Sequence, residues 1–227
     1  MEYKYSRNDV YVDSGMGSNL KAQLTNVRIT FVLPSWSRSP VGGFKVVYEY
    51  ANGLSKLGHN VTVVHPLLIS SQNLTLIHEF KFFLKRKVYT CLKIMDWLKL
   101  GWFNIHPEVE LLITPTLEEK YIPSADIIIA TAWQTAEEVN KYGADKGKKF
   151  YLIQHYEVWS GSKDKVDATW KMPLKKIVIS RWLEKVALRM GEEAIYIPNG
   201  IDSSRFPITQ PIDKRDSKRI GMLYHVC

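Results

Sequence analysis

The chain has 227 residues, 45% of them hydrophobic, which is enough to build the core of one large domain, or of one domain and the beginning of another, and too much for a disordered chain. Its 31 lysines and arginines against 23 aspartates and glutamates leave a net charge of +8, a balance that favours anionic partners such as phosphates, acidic lipid surfaces or nucleic acid. Two cysteines, Cys91 in an apolar segment and Cys227 at the last position, support neither a disulfide framework nor a cysteine-based metal site, so a reducing compartment is expected.

Residues 1–26 read as a polar N-terminal extension without the apolar stretch of a secretory signal. Nowhere does a predominantly apolar run reach the ~18 to 20 residues that a membrane span needs, and a cytoplasmic protein is expected. The first apolar, β-branched run, Arg28 to Leu33, predicts a buried strand. Gly42 and Gly43 follow it and open a helix expected over Gly43 to Leu57, where Phe44, Val47, Tyr48, Ala51, Leu54 and Leu57 keep the i, i+3, i+4 rule and Gly58 is the stop. A tight turn accounts for one glycine of the pair; close approach of a ligand to the backbone would account for the other. The second strand, Val61 to Val64, runs into His65-Pro66 where a dinucleotide site would carry a ribose-binding carboxylate. With no Gly-X-Gly-X-X-Gly spacing either, NAD binding is disfavoured.

From Leu74 to Phe103 apolar residues are interleaved with Lys81, Lys85, Arg86, Lys87, Lys93 and Lys99. Such a basic amphipathic segment suits an anionic membrane surface, and equally a core helix with snorkelling lysines. Strands are then expected at Val109 to Ile113, Asp126 to Ala130, Phe150 to Ile153, Ile177 to Ile179 and Ala194 to Ile197, with helices at Gln134 to Tyr142 and Arg181 to Arg189. The alternation predicts an α/β protein whose parallel sheet is covered by helices on both faces. A polar connector follows Pro207, and Arg219 to Tyr224 has the look of another opening strand. The expected organisation is an extension (1–26), a sheet domain (27–207), and a linker with the start of a second domain (208–227).

Ligands of open parallel sheets collect beyond the carboxyl ends of the strands. The residues falling there are Gly42 and Gly43, His65, Thr131 and Trp133, His155 and Glu157, Ser180, and Asn199. A helix amino terminus opened by glycines accommodates an anion through its unbonded N–H groups and the positive end of its dipole. His155, in the run FYLIQHYEVW, is expected to reach the cleft and to hydrogen-bond a sugar hydroxyl or a developing charge, with Glu157 as acceptor; the alternative is a histidine that caps a strand end. Tyr156 and Trp159 are suited either to stacking on a sugar face or to packing. No His/Cys cluster of metal spacing, Gly-X-Ser-X-Gly elbow or Walker loop occurs.

Gly42-Gly43 at the first helix, the strand-helix-Gly-His-Asn-strand unit through Val64, the segment Ala125 to Trp133, Gln154-His-Tyr-Glu157, Val178-Ile-Ser-Arg-Trp182 and Ile197-Pro-Asn-Gly-Ile-Asp202 together resemble the amino-terminal half of GT-B glycosyltransferases of family 4, closest to rhamnosyltransferase-like members of polysaccharide biosynthesis. The resemblance spans about residues 27 to 207 and implies a Rossmann-like, acceptor-side domain, with the nucleotide-sugar held mainly by a second domain. It implies transfer with retention, no metal or cofactor beyond the nucleotide-sugar co-substrate, and a glycan or lipid-linked acceptor. On the resemblance His155 would be the catalytic-site histidine and Gly42 and Gly43 would approach the donor phosphate and the acceptor; Thr131, Trp133, Glu157, Ser180 and Asn199, placed on the same rim by the strand ends they follow, are the further expected substrate-binding positions. The donor-binding motifs of that family belong to its second domain, so the 227 residues alone are expected to be inactive. The alternative is a non-enzymatic, membrane-associated or carbohydrate-binding α/β module. A nucleic-acid role rests on charge alone and is not expected, because no aromatic platform is patterned with the basic residues.

Overall fold

The computed structural model describes residues 26–69, 100–203, 206–216 and 218–220. Seven strands form one parallel sheet in the order β3-β2-β1-β4-β5-β6-β7. They are β1 (Arg28–Val32), β2 (Asn60–Pro66), β3 (Glu110–Thr114), β4 (Ile127–Ala130), β5 (Lys148–Ile153), β6 (Lys175–Val178) and β7 (Ala194–Tyr196). The α-helices among the described residues are α1 (Gly42–Lys56), α2 (Trp133–Lys141), α3 (Lys163–Trp170) and α4 (Arg181–Arg189). This is the Rossmann-like α/β architecture that the alternation of apolar runs predicts.

Alternate residues of each strand enter different cores, because successive side chains of a strand point to opposite faces. On one face Ile29, Phe31 and Leu33 pack with Val61, Val63, Ile129 and Leu152 against Phe44, Val47, Tyr48 and Ala51 of α1. Across the sheet Val32, Val64, Ile128, Ala130, Tyr151, Ile153 and Val178 pack against α2, α3 and α4. Burial on both sides is why the strands read as continuous apolar runs rather than alternating ones. One crossover handedness explains why the helices divide so: the chain steps to one side of β1 through α1 and to the other side through the rest.

The helix α3 was not legible beforehand. Its inward residues, Val166, Thr169 and Trp170, are few, and the remainder of KDKVDATW is polar. The strand and helix boundaries expected elsewhere agree within about two residues, the usual latitude at element ends.

Between β1 and β4 the strand order reverses, and the loops leaving their carboxyl ends depart to opposite faces, opening a crevice. Both ends of this strand pair are pinned. At the amino end the Arg28 guanidinium donates to Asp126 Oδ1 at 2.8 Å, and the Arg28 backbone N–H donates to Oδ2 at 2.9 Å. At the carboxyl end the Thr131 hydroxyl donates to the Val32 carbonyl at 2.8 Å.

The sheet-bearing unit is compact through Ile197, and residues from Pro198 form a second, smaller unit. Within the latter, the Phe206 N–H donates to the Asp202 carbonyl at 2.9 Å, and a single 3-10 turn covers Ile212–Lys214. Most of the strand expected over Arg219 to Tyr224, the extension 1–26 apart from its last residue, and the basic segment from Leu74 lie outside the described residues. The end of that segment is described: Leu100 is buried, and the rings of Trp102 and Phe103 lie 5.7 and 5.4 Å from that of Tyr48. Among the described residues no helix is long and apolar enough to cross a membrane.

Candidate functional site

The amino end of α1 lies at the switch point. Val41, in extended conformation, precedes the helix, and neither a capping side chain nor an acidic residue of the first turn meets the leading N–H groups. The first intrahelical bond is donated by Lys45 to the Val41 carbonyl, so the three amides ahead of it have no partner within the helix. Packing does not demand glycine here. A Cβ at Gly42 would meet nothing within 4 Å, and one at Gly43 would lie 3.5 Å from Gln154 Nε2, an ordinary contact. Neither residue has a positive φ. Gln154, just beyond β5, reaches over the end of β4 and donates from Nε2 to the Gly43 carbonyl at 3.0 Å, which fixes the first turn of α1 to the far side of the crevice.

The carboxyl end of β4 is occupied by bonds within the protein. Thr131 is buried, and besides its bond to Val32 its N–H donates to Thr135 Oγ1 at 3.0 Å. Trp133 is only 8% exposed. Its backbone N–H donates to Glu157 Oε2 at 3.2 Å and its indole N–H to Ser160 Oγ at 3.0 Å, while the Ser160 hydroxyl donates to the Glu157 carbonyl at 3.1 Å. Glu157 thus supplies a carboxylate to the amino end of α2. Burial raises the Glu157 pKa, against which the Trp133 N–H and the charge of His155 work. Gly161 completes the arrangement, since a Cβ there would come within 2.7 Å of the Trp133 ring. Trp133 and Glu157 are therefore the floor on which the loop after β5 rests.

On that loop His155 is exposed, with its ring 4.3 Å from Trp159 and 5.7 Å from Trp182. The sequence left Tyr156 and Trp159 open between stacking and packing; the structure separates them. Tyr156 packs, its hydroxyl donating to Asp167 and its ring standing edge-on to Trp170 at 6.1 Å, whereas Trp159 is 65% exposed. Ser180 is the N-cap of α4, its hydroxyl oxygen accepting from the Leu183 N–H at 3.3 Å. Asn199 is exposed in the second unit.

The structure thus brings Gly43 to Gln154, Trp133 to Glu157, and His155 to Trp159 and Trp182. His65, expected among the rim residues, is instead interior and wholly buried. Its Nδ1 lies 3.0 Å from the Ser35 carbonyl, which only accepts, so that nitrogen carries the proton and Nε2 accepts from the Tyr48 hydroxyl at 3.4 Å. Burial lowers its pKa to about 4, although the bond to Ser35 opposes the shift. It anchors the loop between β1 and α1, and the Trp36 ring of that loop stands edge-on to it at 4.9 Å.

Gln154 and Trp182 went unassigned by sequence reasoning. Gln154 stands beside His155 in the motif but its reach to Gly43 depends on strand order, and exposure of Trp182 has no signature in an amphipathic helix. Among the described residues no group of three His, Cys, Asp or Glu side chains is placed to hold a metal ion. Compared with known proteins, the chain matches no protein-family model and no curated protein.

Proposed function

We propose that residues 27–207 are the acceptor-side domain of a retaining glycosyltransferase, which moves a sugar from a nucleotide-sugar donor to a glycan or lipid-linked acceptor. One observation carries this reading: a helix opened by two glycines that packing does not require, uncapped, and aimed into the switch-point crevice of a parallel sheet. Such an end stabilises the negative charge that grows on a departing diphosphate, because the dipole and the N–H groups are already oriented and need no rearrangement. The glycines let the phosphate oxygens come to the amides themselves. Gln154 holds that turn in register, and His155, the next residue of the same loop and exposed, offers its ring nitrogens to a sugar hydroxyl. Thr131, Trp133, Glu157 and Ser180 contribute rigidity, since their polar atoms are engaged in caps and loop bonds.

The test is sugar transfer by the full-length protein, with UDP-, GDP- and dTDP-sugars as donors. Gly43→Val, whose branches occupy the phosphate's approach, and His155→Ala each lower turnover by ~10² or more, the lower range of what positioned polar groups supply. Their unfolding midpoints stay near that of the unaltered protein. Undiminished turnover in a folded Gly43→Val protein would overturn the assignment of the glycines.

A further inference from the structure

A second feature of the same rim is left over once the crevice and its supports are accounted for. Trp159 on the loop after β5 is 65% exposed, and Trp182 in the first turn of α4 is 49% exposed. Between them stands His155, edge-on to Trp159 at 4.3 Å and tilted to Trp182 at 5.7 Å. Two large indoles turned to water at one place are costly, for each leaves unburied the area that usually makes tryptophan a core residue. The backbone that carries each ring is nonetheless held in place. Ser160 and Gly161 lock the loop of Trp159 onto the buried Trp133, and the Ser180 cap fixes the turn that carries Trp182.

The chemistry of the cluster narrows what it suits. None of the three side chains forms a hydrogen bond through a ring nitrogen with the described residues, so two indole N–H groups and an imidazole are uncommitted beside flat apolar faces. Glu157, the carboxylate near enough to feel the charge of His155, is already engaged with the Trp133 N–H. A ligand that fits presents a flat C–H face edged with neutral hydroxyls, which is the surface of a sugar ring.

We propose that Trp159, His155 and Trp182 form a stacking platform for a neutral sugar ring of the acceptor glycan, beside the crevice assigned to the donor diphosphate. This rests on the transferase reading for the word acceptor and on nothing more of it. Because the two indoles come from different elements and each lies beside His155, a short oligosaccharide is expected to engage the cluster better than a monosaccharide. The same side of α4 continues through Lys185, Leu188 and Arg189, a basic-apolar strip that an anionic bilayer would also meet.

Ligand-observed saturation-transfer NMR on the 227-residue chain, with short neutral oligosaccharides of glucose, mannose and rhamnose, tests the platform without requiring turnover. Saturable binding by at least one of the three is expected. Trp159→Ala and Trp182→Ala each weaken it about tenfold, the equivalent of one ring contact. Trp159→Tyr retains most of the affinity, and because both rings are exposed the unfolding midpoints do not move. Absence of saturable binding, or undiminished binding by both alanine variants, would overturn the proposal. So would co-sedimentation with phosphatidylglycerol vesicles that is lost in those variants while no oligosaccharide binds, which would assign the face to a membrane. Indole-dependent oligosaccharide binding without sugar transfer by the full-length protein would support the platform and remove the transferase reading.

Discussion

Replacing Gly42 with alanine separates the needs of the fold from the needs of the ligand, because the two act in opposite directions. Nothing lies within 4 Å of where the new Cβ would sit, and the φ of Gly42 is one that any L residue adopts. The folded state therefore gains no strain, while the unfolded chain loses the extra freedom of glycine. At compatible positions this exchange is worth about 0.4 to 1 kcal/mol in favour of the fold. For a domain of this size, 1 kcal/mol moves the unfolding midpoint by roughly 2 to 4 °C, so a rise of about 1 to 4 °C is expected. Alanine at position 43 meets Gln154 at 3.5 Å, an ordinary contact, and the bond from Gln154 goes to a backbone carbonyl that the substitution leaves in place. The double variant is thus expected to be at least as stable as the unaltered chain. On the transferase reading proposed above, function moves the other way: a methyl over the first amides of α1 would hold a phosphate oxygen off the N–H groups, and donor affinity in the full-length protein is expected to fall by about tenfold or more. Calorimetric unfolding beside donor titration reads both quantities from the same preparations. A fall in the midpoint of more than 2 °C, or donor binding equal to that of the unaltered protein, would refute the argument that these glycines serve a ligand.

Two further outcomes follow from His65 and Gly147. An imidazole with a folded pKa of about 4 takes up its proton preferentially in the unfolded chain, where the pKa is near 6.5. The stability contributed by neutral His65 is therefore whole above pH 6.5 and is lost as the pH falls toward 4, amounting to about 2 kcal/mol between pH 7 and pH 5; an NMR titration placing the His65 midpoint near 6.5 would contradict its role in the interior. Gly147, by contrast with Gly42, does need to be glycine: its φ is +92°, and a Cβ would stand 2.5 Å from the Asp126 carbonyl carbon. Gly147→Ala combines left-handed strain with displacement of backbone and costs at least about 3 kcal/mol, or roughly 10 °C in the unfolding midpoint; a shift under 3 °C would mean that the turn before β5 yields easily.

Much of the architecture was determined by the sequence alone, because local burial periodicity is a property of neighbouring residues. A strand buried on both faces must be apolar throughout, so Ile29 to Leu33 and Ile127 to Ala130 announce themselves, and the stripe from Phe44 to Leu54 admits only a helix. Alternation of the two kinds of element then leaves a parallel sheet as the arrangement that covers both faces. What local pattern does not carry is the order of strands and the environment of each strand end. His65 and His155 both lie at the carboxyl ends of apolar runs and look alike in sequence. One becomes a buried anchor because Tyr48, Phe44 and Trp36 converge on the end of β2, and the other remains open because its loop is raised on Trp133 and Glu157. The tryptophans divide in the same way, Trp133 as support and Trp159 as exposed surface, since exposure depends on contacts between residues far apart in the chain. Only the tertiary structure could also show that Gly42 and Gly43 have room for side chains, and so that the reason for two glycines lies outside the packing of the fold.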